Sequence, residues 1–213
     1  MTSPATPAIP RSLFLYAILY GGMTCIAGVL GNKQVDLGPL AVEGGIFAFL
    51  LLVVISSAVA ELHGRTTANR LVLFGFVPLL MSILLILLVL ELPAADEMDA
   101  ARRDGFHLVL GQSPRLMTAG IIAYGVSQLL NVTIFSALRR REGRFLWLRA
   151  GIASVASQVV DSFLFISIAF FGVFPIGELM LGQMLAKVAL SVMLVPPLIY
   201  LLVWAGRRLD MPA

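Results

Sequence analysis

Charge is scarce in this chain: 13% of its 213 residues are Asp, Glu, Lys or Arg, where a soluble domain carries about 25%. Together with 59% hydrophobic residues and a mean hydropathy of +0.96, that deficit excludes a water-soluble globule with a polar surface. It points instead to a chain solvated by lipid. Cysteine is nearly missing. The single Cys25 lies inside an apolar run, so it forms no intrachain disulfide and says little of redox compartment. The two histidines, His63 and His107, fall near opposite membrane surfaces. With one cysteine they assemble no metal cluster, and no cofactor is expected. There is no G-x-x-x-x-G-K-[ST] phosphate loop, which excludes ATP hydrolysis by that route. No G-x-S-x-G is present, nor a serine–histidine pair at a shared depth, so the chain reads as a non-enzyme.

What the chain has is long apolar runs. Those of about 20 residues, enough to cross a bilayer as a helix, lie at about 12–31, 40–62, 70–92, 115–138, 148–172 and 176–205. The predicted fold is an all-α integral membrane bundle of six transmembrane helices. It is flanked by a disordered, proline-spaced tail at 1–11 and a short tail at 206–213. The first run is too long for a signal-peptide core and lacks an A-x-A site, so it reads as a retained helix. Pro196-Pro197 in the last run predicts a kink or tilt, because proline removes backbone donors.

Basic residues set the orientation. Arg11, Arg65, Arg70, Arg139, Arg140, Arg141, Arg144, Arg149, Arg207 and Arg208 fall on one side; Lys33, Arg102, Arg103 and Arg115 fall on the other. The richer side is expected to be cytoplasmic, which puts both termini there. The Arg139–Arg141 run is a topology determinant on this reading, and no nucleic-acid partner is expected. The longest connection, about 93–114, is acidic and faces out, with its 106–112 segment along the interface.

Polar residues inside the runs are the candidates for function, because a charge at mid-bilayer costs roughly 2.5–3.5 kcal/mol and usually faces a cavity, a partner or a substrate path. Gln128 with Asn131, and Gln158 with Asp161, are spaced i and i+3, which places each pair on one helix face. Tyr124 and Ser154 extend the two stripes by a turn. The spans that carry them run antiparallel across a short basic loop, so the patches can meet. In the last run Gln183, Lys187 and Ser191 share a face, and Lys187 is too deep to snorkel easily. It either pairs with Asp161 to hold two spans together or borders a substrate cavity, and both can hold at once. Glu43 precedes Gly44 and Gly45, glycines that permit close backbone approach or an irregular turn lining a cavity. Glu61 lies near the opposite end of the same run, where Gly64 is expected to end the helix. For the serines and one of the two glutamines, interhelical hydrogen bonding is the plainer reading, while Asp161 beside Gln158 reads as functional.

Several segments resemble the queuosine precursor transporter family, also labelled the vitamin uptake transporters. They are Glu61-x-x-Gly64-Arg65 followed by Ala68-Asn69-Arg70, AYGVSQLLNVTIFSALRR at 123–140, SVASQVVDSFLFISIAFFG at 154–172, and Lys187. The resemblance runs from Asn32 to the last span. It implies a six-helix bacterial inner-membrane importer of 7-cyano-7-deazaguanine and 7-aminomethyl-7-deazaguanine, bases salvaged for a modified tRNA nucleoside. Many relatives carry an acidic residue four positions before the Glu61 site and a polar one just before it. Here those positions are Ser57 and Ala60. The base presents N–H donors suited to Asp161 or Glu43 and a carbonyl suited to an amide or ammonium. Gln158, Gln128, Asn131 and Lys187 are on hand, and Phe163, Phe165, Tyr124 or Phe47 can stack on the ring.

Two other functions compete. A six-helix binding subunit of an ATP-driven vitamin importer has the same size and lacks its own ATPase, and a purely structural membrane protein would use its polar residues as glue. Oligomeric state is open. The Gly21, Gly22, Gly28 and Gly31 series packs either against another span or, in a homodimer, against a second copy.

Overall fold

The computed structural model of the chain describes residues 9–37, 40–112, 114–139, 145–172 and 177–211. In chain order these form α1 (Arg11–Gly31), β1 (Gln34–Leu37), β2 (Leu40–Glu43), α2 (Ile46–His63), α3 (Arg65–Glu91), α4 (Ala100–Leu110), α5 (Pro114–Arg139), α6 (Leu146–Phe170) and α7 (Gly177–Leu209). Six of the helices, all but α4, are long and apolar enough to cross a membrane. The protein is an all-α integral membrane protein with a six-helix bundle. Six crossings leave both chain ends on one face, called here the termini face; β1, β2 and α4 lie at the opposite, hairpin face.

The sequence of α2 explains its place at the centre. It is apolar all round, so no face is set aside for solvent. Every residue from Leu52 to Ala60 is buried, and α1, α3, α5, α6 and α7 all pack on it. The outer surface is the reverse case. Leu73, Phe74, Val77, Met81, Leu84 and Leu88 of α3 are exposed, a continuous apolar band that suits lipid and would aggregate in water.

Polar contacts close each end. At the termini face, Ser12 of α1 donates its amide to Asp210 at 2.9 Å and its hydroxyl at 2.6 Å. The same hydroxyl lies 2.7 Å from His63 Nε2 at the end of α2. Tyr16 OH donates to the Leu202 carbonyl. At the hairpin face, Arg115 donates to the carbonyls of Ile168 at 2.6 Å and Phe171 at 2.7 Å. This satisfies the orphan C-terminal acceptors of α6.

Three boundaries differ from the sequence reading. The run expected to begin the second span at 40 instead starts as strand β2, paired antiparallel with β1 so that Gln34 opposes Glu43 and Val35 opposes Val42. The span itself begins at Ile46, after Gly44 and Gly45. A Cβ on Gly45 would come 2.7 Å from the Ala27 carbonyl oxygen, so glycine lets the chain leave the hairpin hard against α1. The third helix begins at Arg65, because Gly64 turns the chain at φ 86° and helical bonding resumes at once. The last helix continues through Pro196 and Pro197 and on to Leu209, four residues beyond the expected end. The 106–112 segment falls largely within helix α4, which is capped by Asp99 accepting from the Arg102 amide at 3.2 Å. The proline-spaced segment 1–8 and the basic residues at 140, 141 and 144 lie outside the described residues.

Candidate functional site

A cavity of about 180 Å³ opens between the helices towards the hairpin face. Among the described residues its charged lining is Glu43, Asp161 and Lys187, and Phe49, Tyr124 and Phe165 supply aromatic surface. Asp161 sits on the buried face of α6, 3% exposed. Its two oxygens are engaged separately: Ser127 Oγ of α5 donates to Oδ1 at 3.1 Å, and Lys187 Nζ of α7 donates to Oδ2 at 2.9 Å. Lys187 is 6% exposed, so the pair is out of water, and its ammonium lies 5.8 Å from the Phe49 ring centroid. A buried pair of this kind holds only if both ions keep their hydrogen bonds. Here the serine and the aromatic face supplement the ion pair.

Glu43 reaches the same cavity from the end of β2. Gln183, one helical turn before Lys187 on α7, donates to Glu43 Oε1 at 3.2 Å. The Gln183–Lys187–Ser191 stripe read from the sequence thus meets the hairpin at one end and Asp161 in the middle. Tyr124 stands beside Phe76 and Phe49 in edge-to-face contacts, with centroids 5.0 and 6.4 Å away, and its hydroxyl donates to Tyr20 at 2.9 Å. At the hairpin face the α4 connection borders the cavity: Asn32 Nδ2 donates to the Val109 carbonyl and Gln112 Nε2 to the Gly28 carbonyl, both at 2.8 Å.

The other candidate residues do not join this lining. Asn131 donates to the hydroxyls of Ser56 at 3.1 Å and Ser57 at 3.0 Å, while Ser56 donates to Gln128 at 3.3 Å. These residues tie α5 to α2 in a fully buried network on the termini side of the cavity. Gln158 is 2% exposed, and its Oε1 has no hydrogen-bond partner among the described residues. It stands one turn from Asp161, behind the cavity wall. Glu61 lies at the termini face, 2.8 Å from buried Arg149 and 3.8 Å from Arg139. Arg149 in turn stacks over Phe135 at 4.9 Å.

Among the aromatics named from the sequence, Phe163 and Phe47 point outward, while Phe165 and Tyr124 line the cavity. Phe49 was missed. Phe47 and Phe49 both sit in an unbroken apolar run, so periodicity carries no signal to choose between them.

Comparison with known proteins agrees with this architecture. The profile of a family described as "Putative vitamin uptake transporter" matches residues 43–202, three quarters of the chain. The chain belongs to that family. The matched segment begins at Glu43 and contains every candidate residue discussed above. The chain is also similar to a "Probable queuosine precursor transporter" of Bacillus subtilis (strain 168), 28% identical over 182 residues, which is 83% of this chain and 78% of that protein. No solved structure matches. The protein is therefore a multi-pass membrane transporter, and its ligand is a small molecule.

Proposed function

We propose that this protein imports 7-deazaguanine bases, the 7-cyano and 7-aminomethyl queuosine precursors, across the bacterial inner membrane, with both termini in the cytoplasm. The observation that carries the reading is the joining of Asp161 and Lys187 at the wall of an aromatic-lined cavity. A guanine-like lactam edge presents an N–H donor directly beside a carbonyl acceptor. A carboxylate beside an ammonium is the complement of that edge, and the flat ring suits the walls formed by Phe49, Tyr124 and Phe165. Size points the same way. A dry cavity of about 150 Å³ holds benzene, so about 180 Å³ suits a small fused bicycle and leaves little room for a sugar. On this reading Asp161, Lys187 and Glu43 touch the base. Gln158, Gln128 and Asn131 stand behind them, and Glu61 belongs to the closed termini face.

Uptake of labelled bases into cells that cannot synthesise them tests the proposal, with modified tRNA as an independent readout. Wild type is expected to support uptake of the free base but not of its nucleoside. Asp161→Asn, present in the membrane at normal level, is expected to reduce uptake at least tenfold. Normal uptake by that variant would remove Asp161 from the site.

A further inference from the structure

We infer that Glu43 makes the cavity select for a ring carrying a protonated amine over the same ring with a neutral substituent. The inference rests on the reading that the cavity holds a deazaguanine base. Its ground is a count of charges. Among the described residues, the charged members of the lining are two carboxylates, Glu43 and Asp161, against one ammonium, Lys187. That ammonium is already committed to Asp161 at 2.9 Å. Among the described residues no cation lies within ion-pair distance of Glu43, whose hydrogen-bond partner is the neutral carboxamide of Gln183. Gln183 holds only Oε1, and among the described residues nothing bonds Oε2, which can accept a further bond.

A carboxylate half-buried without a bonded counter-ion, as Glu43 is, is costly, and the cost falls when a cation arrives or a proton binds. Lys187 favours the charged form of Glu43 and Asp161 opposes it more weakly, but the Lys187 ammonium is bonded to Asp161 and not to Glu43. A ligand ammonium answers this need directly. A primary amine on an aliphatic carbon is protonated near neutral pH, as the lysine side chain is, whereas a nitrile carries no charge. With the lactam edge on the Asp161–Lys187 pair, Glu43 is the residue left to meet a substituent on another part of the ring. Backbone geometry holds it there: the Gly44 amide bonds the Lys33 carbonyl at 2.7 Å and β2 is paired to β1, so the carboxylate is presented by a fixed hairpin.

The test is equilibrium binding of the 7-aminomethyl and 7-cyano bases to the purified full chain in lipid nanodiscs. Wild type is expected to bind the aminomethyl base about tenfold more tightly, the scale of one charge-assisted contact. Glu43→Gln is expected to lose that preference while still binding the cyano base, and Glu43→Asp, which keeps the charge, to retain part of it. Equal binding of the two bases by wild type would overturn the inference and leave the transport reading intact, whether or not the variants fold. A Glu43→Gln chain that keeps the preference would overturn it as well. If wild type binds neither base, the assignment of the cavity falls and this inference falls with it.

Discussion

Asp161 and Lys187 form a contact that is structural and, on the proposed reading, part of the substrate site. Each is almost wholly buried, so removing one leaves the other as an uncompensated charge, at a cost of roughly 3–5 kcal/mol. Replacing both with neutral residues of similar shape removes that penalty. Lys187→Met or Asp161→Asn alone is therefore expected to destabilise the protein by about 3 kcal/mol, and the double variant by less than either single change. Unfolding in mild detergent measures the coupling, and simple additivity would contradict it.

At the termini face Asp210 behaves differently. Desolvation alone would raise its carboxyl. The two bonds from Ser12 and the charge of nearby His63 outweigh that and hold it below the ordinary value of 3.8. A folded-state value below the unfolded one contributes stability above the unfolded value, and this is lost as pH falls through the folded one. Asp210→Asn should accordingly melt lower than wild type at neutral pH, and the gap should close below about pH 4.

At the scale of elements, two kinds of interhelical contact can be told apart. The Asn131–Ser56–Ser57 network joins α5 to α2 outside the cavity, and such bonds in a membrane are worth about 0.6–2 kcal/mol each. Asn131→Leu is expected to lower stability by about 1 kcal/mol while base affinity stays within about twofold. A complete loss of binding by a well-folded Asn131→Leu chain would place the amide in the site. The i, i+3 spacing in the sequence put Gln128 and Asn131 on one face correctly, but it could not say whether that face met a cavity or another helix. The hairpin was harder still. Leu40-Ala41-Val42 joins smoothly to the apolar run that follows, so hydropathy absorbs it into the span. The contrary signal was the Gly38-Pro39 dipeptide between two short runs. The Gly44-Gly45 pair, by contrast, was readable as a place of close approach, and the structure puts α1 backbone there.

For the molecule as a whole, the six crossings place the termini together, and the surplus of arginine on that face argues that it is cytoplasmic. A C-terminal fusion to a reporter that matures only in the cytoplasm should be active, and one inserted in the 93–99 connection should not. The opposite pattern would invert the topology and with it the direction in which the cavity faces. The structure has its cavity towards the hairpin face, beneath the α4 connection, while the Glu61–Arg149 pair and the Ser12–His63–Asp210 contacts hold the termini face shut. With the termini in the cytoplasm, this conformation is closest to the outward side.

Composition and run length alone determined that this is a membrane protein of six spanning helices, because lipid admits only helices and closed barrels, and continuous apolar runs of about 20 residues fit the helix. Helical spacing likewise determined which polar side chains share a face. Only the tertiary structure decided which of those faces converge. Contact between α5, α6, α7 and β2 depends on helix rotation and on a hairpin that turns Glu43 inward, and both arise from packing between segments far apart in the chain. For that reason Asp161, Lys187 and Glu43 meet at one cavity, while Gln128, Asn131 and Glu61, equally prominent in the sequence, bind other helices instead.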